Sequence, residues 1–274
     1  MATTTSPERS EGVAAPVGVF DSGVGGLSVL QELRIALPHE DFIYIADSAH
    51  CPYGGQPQPV VLARAEALTT ELLRQGVKLI TVACNTATVA AIDVLRSRHG
   101  LAFVGIEPAV KPAAALTRSG VIGVLSTRVT ADGERVQSLI RRFAHGVQVL
   151  TQACPGLVAR VEAGQLTDGE TRRLVERYTT PLLAAGADTL VLGCTHYPFL
   201  RPLIADVVGP QIRLLDTGAA VARRVASVLQ DTARLAVRER RGRVRWLTTG
   251  DAAVMSGIAT RLLGEVVAAQ RIGV

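Results

Sequence analysis

The chain of 274 residues is 48% hydrophobic and 19% charged, which is enough apolar material for one large or two medium cores. No stretch reaches the roughly 18 apolar residues of a membrane span, and the first dozen residues lack the features of a signal peptide. We therefore expect a cytoplasmic protein without a membrane partner. The net charge of +5 would permit nucleic-acid binding, but the one local run of basic residues, Arg238 to Arg245, is more simply a solvent-exposed turn.

The first half of the chain alternates strands with helices. Apolar runs predict strands over 17–20, 42–46, 77–83 and 102–106, separated by helices that run to 37, over 60–75 and to about 99. Polar or small residues follow each strand. They are Asp21-Ser22 before a glycine-rich turn, Asp47-Ser48 before a Cys51-Pro52 loop, Cys84-Asn85-Thr86, and Glu107-Pro108.

The same order recurs about 108 residues later, which indicates two homologous halves. Strands are predicted over 120–125, 147–152, 189–193 and 212–215. The residues that follow them are Ser126-Thr127, Cys154-Pro155-Gly156, Cys194-Thr195-His196 and Asp216-Thr217. A last strand over 244–248 and a final helix are expected to return to the first half.

Strands that are buried on both faces and alternate with helices form parallel sheets. We therefore predict an α/β fold of two pseudo-symmetric, doubly wound parallel-sheet domains that face each other across a central active-site cleft. The first domain comprises residues 16–109 and 219–274, the second comprises residues 110–218, and residues 1–15 form a flexible tail. Because ligands bind beyond the carboxyl ends of parallel strands, the polar strand ends of both halves are expected to meet at one site.

Cys84 and Cys194 occupy equivalent positions, where each ends a strand and precedes a helix, the second of which opens near Pro198. The positive end of a helix favours a thiolate, so we expect both thiols to have a lowered pKa. Two thiols on opposite sides of one ligand could take a proton from one face of a tetrahedral carbon and return one to the other, as a racemase must. Cys51 and Cys154 also match each other, but they lie in loops one strand further from this centre and are interpreted as structural.

Five ordered motifs make the chain similar to the glutamate racemases, within the broader aspartate/glutamate racemase family, over nearly its whole length. The motifs are GVFDSGVGG at 18–26, ADSAHCPYG at 46–54, ACNTAT at 83–88, EPAVKPA at 107–113 and LVLGCTHYP at 190–198. Five motifs in order are a far more specific signal than any one alone.

The resemblance implies that Cys84 and Cys194 alternate as proton acceptor and donor, with Asp21 assisting the first and His196 and Glu162 assisting the second. By the same resemblance Cys84 acts on the D-enantiomer and Cys194 on the L-enantiomer. The implied substrate site combines hydroxyls, an amide, backbone N–H groups and a carboxylate for the ammonium. Its residues are Asp21, Ser22, Tyr53, Gly54, Asn85, Thr86, Thr195 and His196.

The resemblance implies no cofactor. A pyridoxal-phosphate enzyme needs a Schiff-base lysine, and the two lysines are poorly suited. Lys78 lies at the start of a strand, away from the carboxyl ends, and Lys111 lies in a segment that the family shares without such a role. The histidines are not spaced around the cysteines as zinc ligands would be, so no metal site is expected.

The glycine-rich turn imitates a dinucleotide-binding turn, with Gly23 and Gly25 after a strand. However, Ser28 stands where the third small residue is required, and Asp21 would repel a pyrophosphate. A nicotinamide enzyme is therefore not favoured, and no phosphate-binding loop with a lysine is present in the sequence.

Together these features predict a cofactor-independent glutamate racemase that interconverts L-glutamate and D-glutamate and supplies D-glutamate for peptidoglycan synthesis. The alternatives are a racemase of aspartate or another amino acid, and a nucleic-acid-binding protein that uses Arg238 to Arg245. The resemblance implies a homodimer, and it leaves open whether a cell-wall precursor activates the enzyme, as in some relatives.

Overall fold

The structure, a computed structural model, describes residues 13–274 and contains two parallel β-sheets. Most of the predicted flexible tail lies outside the described residues. At its end, the carbonyl groups of Val13 and Ala14 accept hydrogen bonds from Lys78 and Arg238. Within the described part of the chain, no helix combines the length and the apolar character needed to cross a membrane.

The first half contains four strands and the helices between them. In chain order these elements are β1 (Val17–Asp21), α1 (Leu27–Ala36), β2 (Phe42–Ala46), α2 (Gln58–Arg74), β3 (Leu79–Val82), α3 (Asn85–Arg98) and β4 (Phe103–Gly105). Two short 3₁₀ helices, Ser48–His50 and Tyr53–Gly55, lie between β2 and α2. Helix α4 (Val110–Leu116) leads to the second half.

The second half repeats this plan, and the chain then continues into a C-terminal segment. The second half comprises β5 (Val121–Ser126), α5 (Arg128–Asp132), α6 (Glu134–Phe143), β6 (Gln148–Ala153), α7 (Leu157–Glu162), α8 (Gly169–Ala184), β7 (Thr189–Leu192), a 3₁₀ helix (Tyr197–Leu200), α9 (Arg201–Val208) and β8 (Arg213–Leu215). The C-terminal segment comprises α10 (Gly218–Asp231), β9 (Val244–Thr248), α11 (Ala252–Leu263) and β10 (Gln270–Arg271).

The strand order shows the internal repeat directly. The first sheet has the order β10-β9-β2-β1-β3-β4 and the second has the order β6-β5-β7-β8. In each sheet the first strand of the half lies between the second and the third, and all pairs are parallel. The predicted α/β fold of two pseudo-symmetric parallel sheets is confirmed. Strand β9 pairs with β2, so the C-terminal segment returns to the first sheet.

Both faces of the first sheet are covered, as the continuous apolar strands predict. All five residues of β2 are buried: Phe42, Tyr44 and Ala46 belong to one apolar cluster, and Ile43 and Ile45 belong to another. Successive side chains of a strand point to opposite faces, so the two clusters lie on opposite sides of the sheet.

The larger of these clusters also joins the two halves. It includes Val24 and Leu27 after β1, together with Leu157, Val161 and Leu192 from the second half. Helix α10 packs against α1, which brings the C-terminal segment onto the same core. The carboxyl ends of β1, β3 and β7 consequently meet in the region between the sheets.

Candidate active site

Asp21, at the end of β1, lies at the centre of the region where the two halves meet. Its side chain is fully buried. Ser22 donates its backbone N–H to Asp21 Oδ1 over 2.6 Å, and Thr195 of the second half donates its hydroxyl to Oδ2 over 3.0 Å. Burial raises the pKa of Asp21, while the charge of His196 and hydrogen bonds from Cys84 and Thr195 act in the opposite direction without cancelling the rise.

Cys84 caps the N-terminus of α3. Its Sγ accepts the backbone N–H of Ala87 over 3.5 Å and lies 3.9 Å from Ser22 Oγ. The expectation of a lowered pKa is wrong for this thiol. Burial raises its pKa well above the ordinary value, and the charge of Asp21 raises it further, which outweighs the helix N–H group. Cys84 therefore favours its protonated form.

Cys194 follows β7, and the expected helical segment near Pro198 is present, but it does not begin directly at Cys194. The residues after it form the short 3₁₀ helix Tyr197–Leu200, which contains Pro198, and the α-helix α9 begins only at Arg201. The partner of Cys194 is a side chain rather than a helix end, because its Sγ lies 3.7 Å from His196 Nδ1. The structure places this thiol after the strand and next to His196, the residue that the resemblance implied would assist it.

His196, which is buried, and Glu162, which is partly buried, form a pair behind Cys194. His196 Nε2 lies 2.5 Å from Glu162 Oε1, and the same oxygen accepts the backbone N–H of Val24 over 2.8 Å. Burial lowers the pKa of His196, but its hydrogen bonds to Cys194, Cys51 and Glu162 raise the pKa more, so that the ring favours the imidazolium form. The pair can supply a positive charge and a proton donor beside the Cys194 thiol.

The glycine-rich turn makes this contact between the halves possible. A Cβ atom on Gly23 would lie 2.0 Å from Glu162 Oε1, and one on Gly25 would lie 2.3 Å from His196 Nδ1. Real Cβ atoms do not approach other atoms this closely. The glycines therefore leave room for side chains of the second half, which explains a turn that resembles a dinucleotide-binding loop without being one.

Most of the predicted substrate-binding side chains face this region. Ser22, Asn85, Thr86, Thr195 and His196 are all buried. Both polar atoms of the Asn85 side chain are buried without a hydrogen-bond partner among the described residues. Unpaired buried amides are costly, so this side chain is poised for a ligand. Thr86 Oγ1 lies 3.0 Å from Thr127 Oγ1 of the second half.

Tyr53 and Gly54 differ from the serine and threonine residues of the predicted site. The Tyr53 hydroxyl donates to Asp47 Oδ2 over 2.5 Å, so it is already engaged. Gly54 packs on Thr127, where a Cβ atom would lie 2.6 Å from the threonine Cβ. The tyrosine hydroxyl of this segment is therefore used to fix the loop.

Sequence reasoning missed two parts of the site. Thr127 and Thr130 complete a hydroxyl cluster with Thr86, which lies 3.4 Å from Thr130. Asp47 accepts hydrogen bonds from Tyr53, from Arg64 and from Thr249 and fixes the loop that carries Tyr53. Their positions at strand ends were the available signal: Thr127 follows β5, and Asp47 follows β2.

The placement of Cys51 away from the centre was wrong. Its Sγ belongs to a group with Glu162 and His196 whose atoms all lie within 4.8 Å of one another. Burial raises the pKa of Cys51 to about 11, with a hydrogen bond to His196 acting against that rise. Cys154, its equivalent in the second half, is buried and donates to the Gln152 carbonyl over 3.3 Å.

Neither lysine lies in the site. Lys78 is buried and is bound by the carbonyl groups of Val13 and Arg234 and by Glu40, whose Oε2 lies 2.7 Å from its Nζ. Lys111 lies over the ring of Phe143, 5.1 Å from the ring centroid.

Comparison with known proteins defines the family. Residues 25–225 match the sequence model of the Asp/Glu/Hydantoin racemase family, which covers well over half of the chain. The chain belongs to this family. The predicted resemblance is thereby confirmed, as is the predicted enzyme class, an amino-acid racemase among the isomerases.

Relatives of this racemase are similar over nearly their full length. It is 58% identical to the glutamate racemase of Herpetosiphon aurantiacus over 238 residues, 87% of this chain and 94% of the relative. It is 52% identical to that of Ectopseudomonas mendocina over 252 residues, 92% of this chain and 95% of the relative. The crystal structure of Escherichia coli glutamate racemase in complex with L-glutamate and the activator UDP-MurNAc-Ala matches with a TM-score of 0.83 and 32% identity, covering 94% and 98% of the two chains.

Proposed function

We propose that the racemase interconverts L-glutamate and D-glutamate by a two-base mechanism in which Cys84 and Cys194 exchange roles. The observation that carries this proposal is the pairing of each thiol with its own buried partner from its own half. Asp21 accompanies Cys84, and His196 accompanies Cys194. The charge of Cys194 contributes to the raised pKa of Cys84, which supports their proximity across one site.

The chemistry follows from the surroundings of Cys84. Burial and Asp21 favour a protonated Cys84 until a cation arrives. The ammonium group of an amino acid is such a cation, and placed beside Asp21 it would lower the pKa of both groups. Substrate binding would thus help to generate the base that attacks its α-proton. One thiolate takes the proton from one face, the opposite thiol donates a proton to the other, and the two sulfurs end with exchanged protonation states.

Asp21 and the His196–Glu162 pair would act as the two supporting systems. Asp21 can accept the thiol proton of Cys84 or bind the substrate ammonium, because it lies beside that thiol and is itself fully buried. Glu162 orients the imidazole through Nε2, which leaves Nδ1 facing Cys194. This arrangement resembles the carboxylate, histidine and nucleophile order of other enzymes that move protons through an imidazole.

The substrate carboxylates would be bound by neutral donors. Ser22, Thr86 and Thr195 supply hydroxyl groups, Asn85 supplies an unpaired amide, and the Tyr53–Gly54 segment supplies backbone N–H groups. A site without a lysine or arginine among these groups leaves the carboxylate charge unneutralised, so the developing carbanion relies on the ammonium and on His196 for positive charge.

The wider role is part of the same proposal. D-glutamate made here would enter peptidoglycan synthesis, and the enzyme would act in the cytoplasm as a homodimer. A cell-wall precursor is a candidate activator, since the Escherichia coli relative was crystallised with UDP-MurNAc-Ala as its activator. A basic surface for nucleic acid is disfavoured, because Arg238 and Arg240 both pair with Asp41.

The decisive experiment follows the α-proton in D₂O without added cofactor. In water the two enantiomers have equal free energy, so loss of either thiol must reduce kcat/KM equally in both directions. Exchange of the α-proton for deuterium without inversion can instead be one-sided. We expect Cys84→Ala to retain exchange on L-glutamate only and Cys194→Ala to retain it on D-glutamate only, each with inversion abolished. The parent should exchange and invert both.

Cys154→Ala is the matched control, since Cys154 is a buried thiol that donates to the Gln152 carbonyl and is not among the groups assigned to the substrate. It should invert glutamate like the parent. If Cys84→Ala or Cys194→Ala inverted glutamate at the parent rate, the two-thiol mechanism would be refuted. Inversion of aspartate but not of glutamate would keep the mechanism and change the substrate.

A further inference from the structure

Cys51, Glu162 and His196 bring three metal-ligating atoms together behind Cys194. A thiol sulfur, a carboxylate oxygen and an imidazole nitrogen all lie within 4.8 Å of one another. The residues come from the loop after β2, the end of α7 and the segment after β7, so their spacing along the sequence gives no hint of the cluster. We propose that these three side chains form a binding site for a thiophilic divalent cation such as Zn²⁺, and that the bound ion inhibits racemisation.

The donor set suits zinc in particular. Zn²⁺ takes thiolate, imidazole and carboxylate ligands at about 2.0–2.3 Å and accepts four ligands in a tetrahedron, so that three protein ligands leave one position for water. Ligand atoms of such a site are separated by roughly 3–4 Å, which follows from those bond lengths. The present separations of up to 4.8 Å need only small side-chain movements. The proton between His196 Nε2 and Glu162 Oε1 would be displaced by the ion.

The surroundings of the cluster leave space for an ion and a route to it from solvent. Gly23 faces the cluster, and a Cβ atom there would lie 2.0 Å from Glu162 Oε1 and 3.0 Å from Cys51 Sγ. The absent side chain is therefore what lets these two ligand atoms converge. The Glu162 side chain is 20% exposed while that of His196 is 2% exposed. An ion can thus approach from the side of the carboxylate and of Cys51, which is also partly exposed.

The consequence for catalysis follows from the two nitrogens of the imidazole ring. Nε2 faces Glu162, and Nδ1 faces Cys194 Sγ at 3.7 Å. An ion bound between Nε2 and Glu162 Oε1 must part these two atoms, which lie 2.5 Å from each other, to the roughly 3–4 Å that separates metal ligands. The imidazole ring then moves relative to Cys194 Sγ, and a displacement of a reacting group by about 1 Å can cost about 100-fold in rate. Inhibition therefore rests on the proposed function, whereas metal binding itself does not.

The test uses the full-length, metal-free enzyme and Co²⁺ as a spectroscopic substitute for Zn²⁺. Cobalt bound to a thiolate gives a charge-transfer band in the near ultraviolet, and Zn²⁺ competition then gives the zinc affinity. Cys51→Ser removes the sulfur ligand with little change of volume. Cys154→Ser is the matched control, because it removes the equivalent buried thiol of the second half.

We expect the thiolate band in the parent and in Cys154→Ser, and its loss in Cys51→Ser together with a Zn²⁺ affinity at least about tenfold lower. Glu162→Gln gives a second measurement, with the band retained but the Zn²⁺ affinity reduced. A band that survives in Cys51→Ser would place the ion on Cys84 or Cys194 and overturn the proposal. So would Zn²⁺ affinities that are the same in the parent, Cys51→Ser and Glu162→Gln.

Inhibition is measured separately, as the Zn²⁺ concentration that halves each variant's own metal-free rate with glutamate. We expect that concentration to rise at least about tenfold in Cys51→Ser relative to Cys154→Ser. An unchanged value would overturn the inhibitory part while leaving the absorption result to decide the site. If the parent fails to racemise glutamate, the proposed function fails, and the cobalt titration still decides whether the metal site exists.

Discussion

Thr195 donates a hydrogen bond to Asp21 across the two halves of the chain, with 3.0 Å between the hydroxyl oxygen and Oδ2. This bond opposes the rise in the pKa of Asp21 that burial causes, so it favours the carboxylate beside Cys84. A residue of the second half thereby lowers the pKa of an acid that belongs to the first half. A single hydroxyl couples the two thiol systems that the reaction must use together.

Replacing Thr195 with valine should reveal this coupling. A hydrogen bond to a charged group contributes about 1.5–3 kcal/mol, so Thr195→Val should lower kcat/KM for glutamate by about 10- to 100-fold. Thr195→Ser keeps the hydroxyl and should recover most of the loss. Circular dichroism at a wavelength where the enantiomers differ follows the reaction directly. Equal rates for the valine and serine variants would show that the hydroxyl does not matter.

Glu162→Gln should alter the pH dependence of the racemase. The carboxylate raises the pKa of His196 through its hydrogen bond to Nε2, together with Cys194 and Cys51, so its neutralisation should lower that pKa. The imidazolium is then lost at a lower pH, and the alkaline limb of the kcat/KM profile should move in the acidic direction. We also expect kcat to fall by about 100-fold, as for loss of a supported acid–base group. Glu134→Gln, a change at an exposed carboxylate, is the control. A shift in neither limb would argue against a role for Glu162.

Gly25→Ala should damage the site while the fold persists. The new Cβ atom would lie 2.3 Å from His196 Nδ1 and 2.7 Å from Thr195 Oγ1, so both side chains must move. Displacement of a reacting group by about 1 Å can cost about 100-fold in rate, and we expect at least that loss in kcat. Gly257→Ala is the matched control, because it lies within α11 with no atom within 4 Å of the new Cβ. It should keep full activity and raise the free energy of unfolding by about 0.5–1 kcal/mol.

Asp47→Asn should weaken the protein in a pH-dependent way. Burial raises the pKa of Asp47, but Arg64, Tyr53 and Thr249 lower it by more, and the net pKa is below the ordinary value. A carboxylate of this kind stabilises the fold above its unfolded pKa of about 3.9, and the contribution is lost as the pH falls through the folded pKa. We expect the variant to lose about 3 kcal/mol at pH 7, since Arg64 is left without its partner.

Urea unfolding at pH 7 and at a series of acidic pH values provides the measurement for Asp47→Asn. The difference in unfolding free energy between the parent and the variant should shrink below about pH 4. Asp93→Asn is the control, because the Asp93 side chain is 76% exposed and exposed pairs contribute little. A difference that stays constant down to the lowest pH would contradict the ionised state of Asp47.

The sequence predicted the elements and their polar ends because each depends on local pattern. Buried parallel strands are continuous apolar runs, and the internal repeat shows which strand ends correspond. The bounds of β2 and β9 agree with prediction, and the other strand bounds differ by at most two residues, as for β3, predicted over 77–83 and observed at Leu79–Val82. Family motifs added the identities of the thiols and their partners, which pattern alone would leave as candidates.

Properties that depend on which residues lie close together in three dimensions could not be predicted from the sequence. The pKa of Cys84 depends on burial and on Asp21, which lies 63 positions earlier, whereas only the helix N-terminus was visible locally. Cys51 was placed one strand away because its motif gives no sign of the loop that folds back toward His196. The sequence shows Gly23 and Gly25 in the turn, but the reason for them lies in the side chains of Glu162 and His196, which pack against them from the second half.

The hydrogen bonds that hold the two halves together over the site include Thr195 to Asp21, Val24 to Glu162, and Thr86 with Thr127. In this resting arrangement Asp21 is sealed from water. On the proposed function, glutamate would enter and leave when such bonds break and the halves separate. Opening and closing of the two halves would then limit turnover. The rate would depend on the viscosity of the solvent even where the proton transfers themselves are fast.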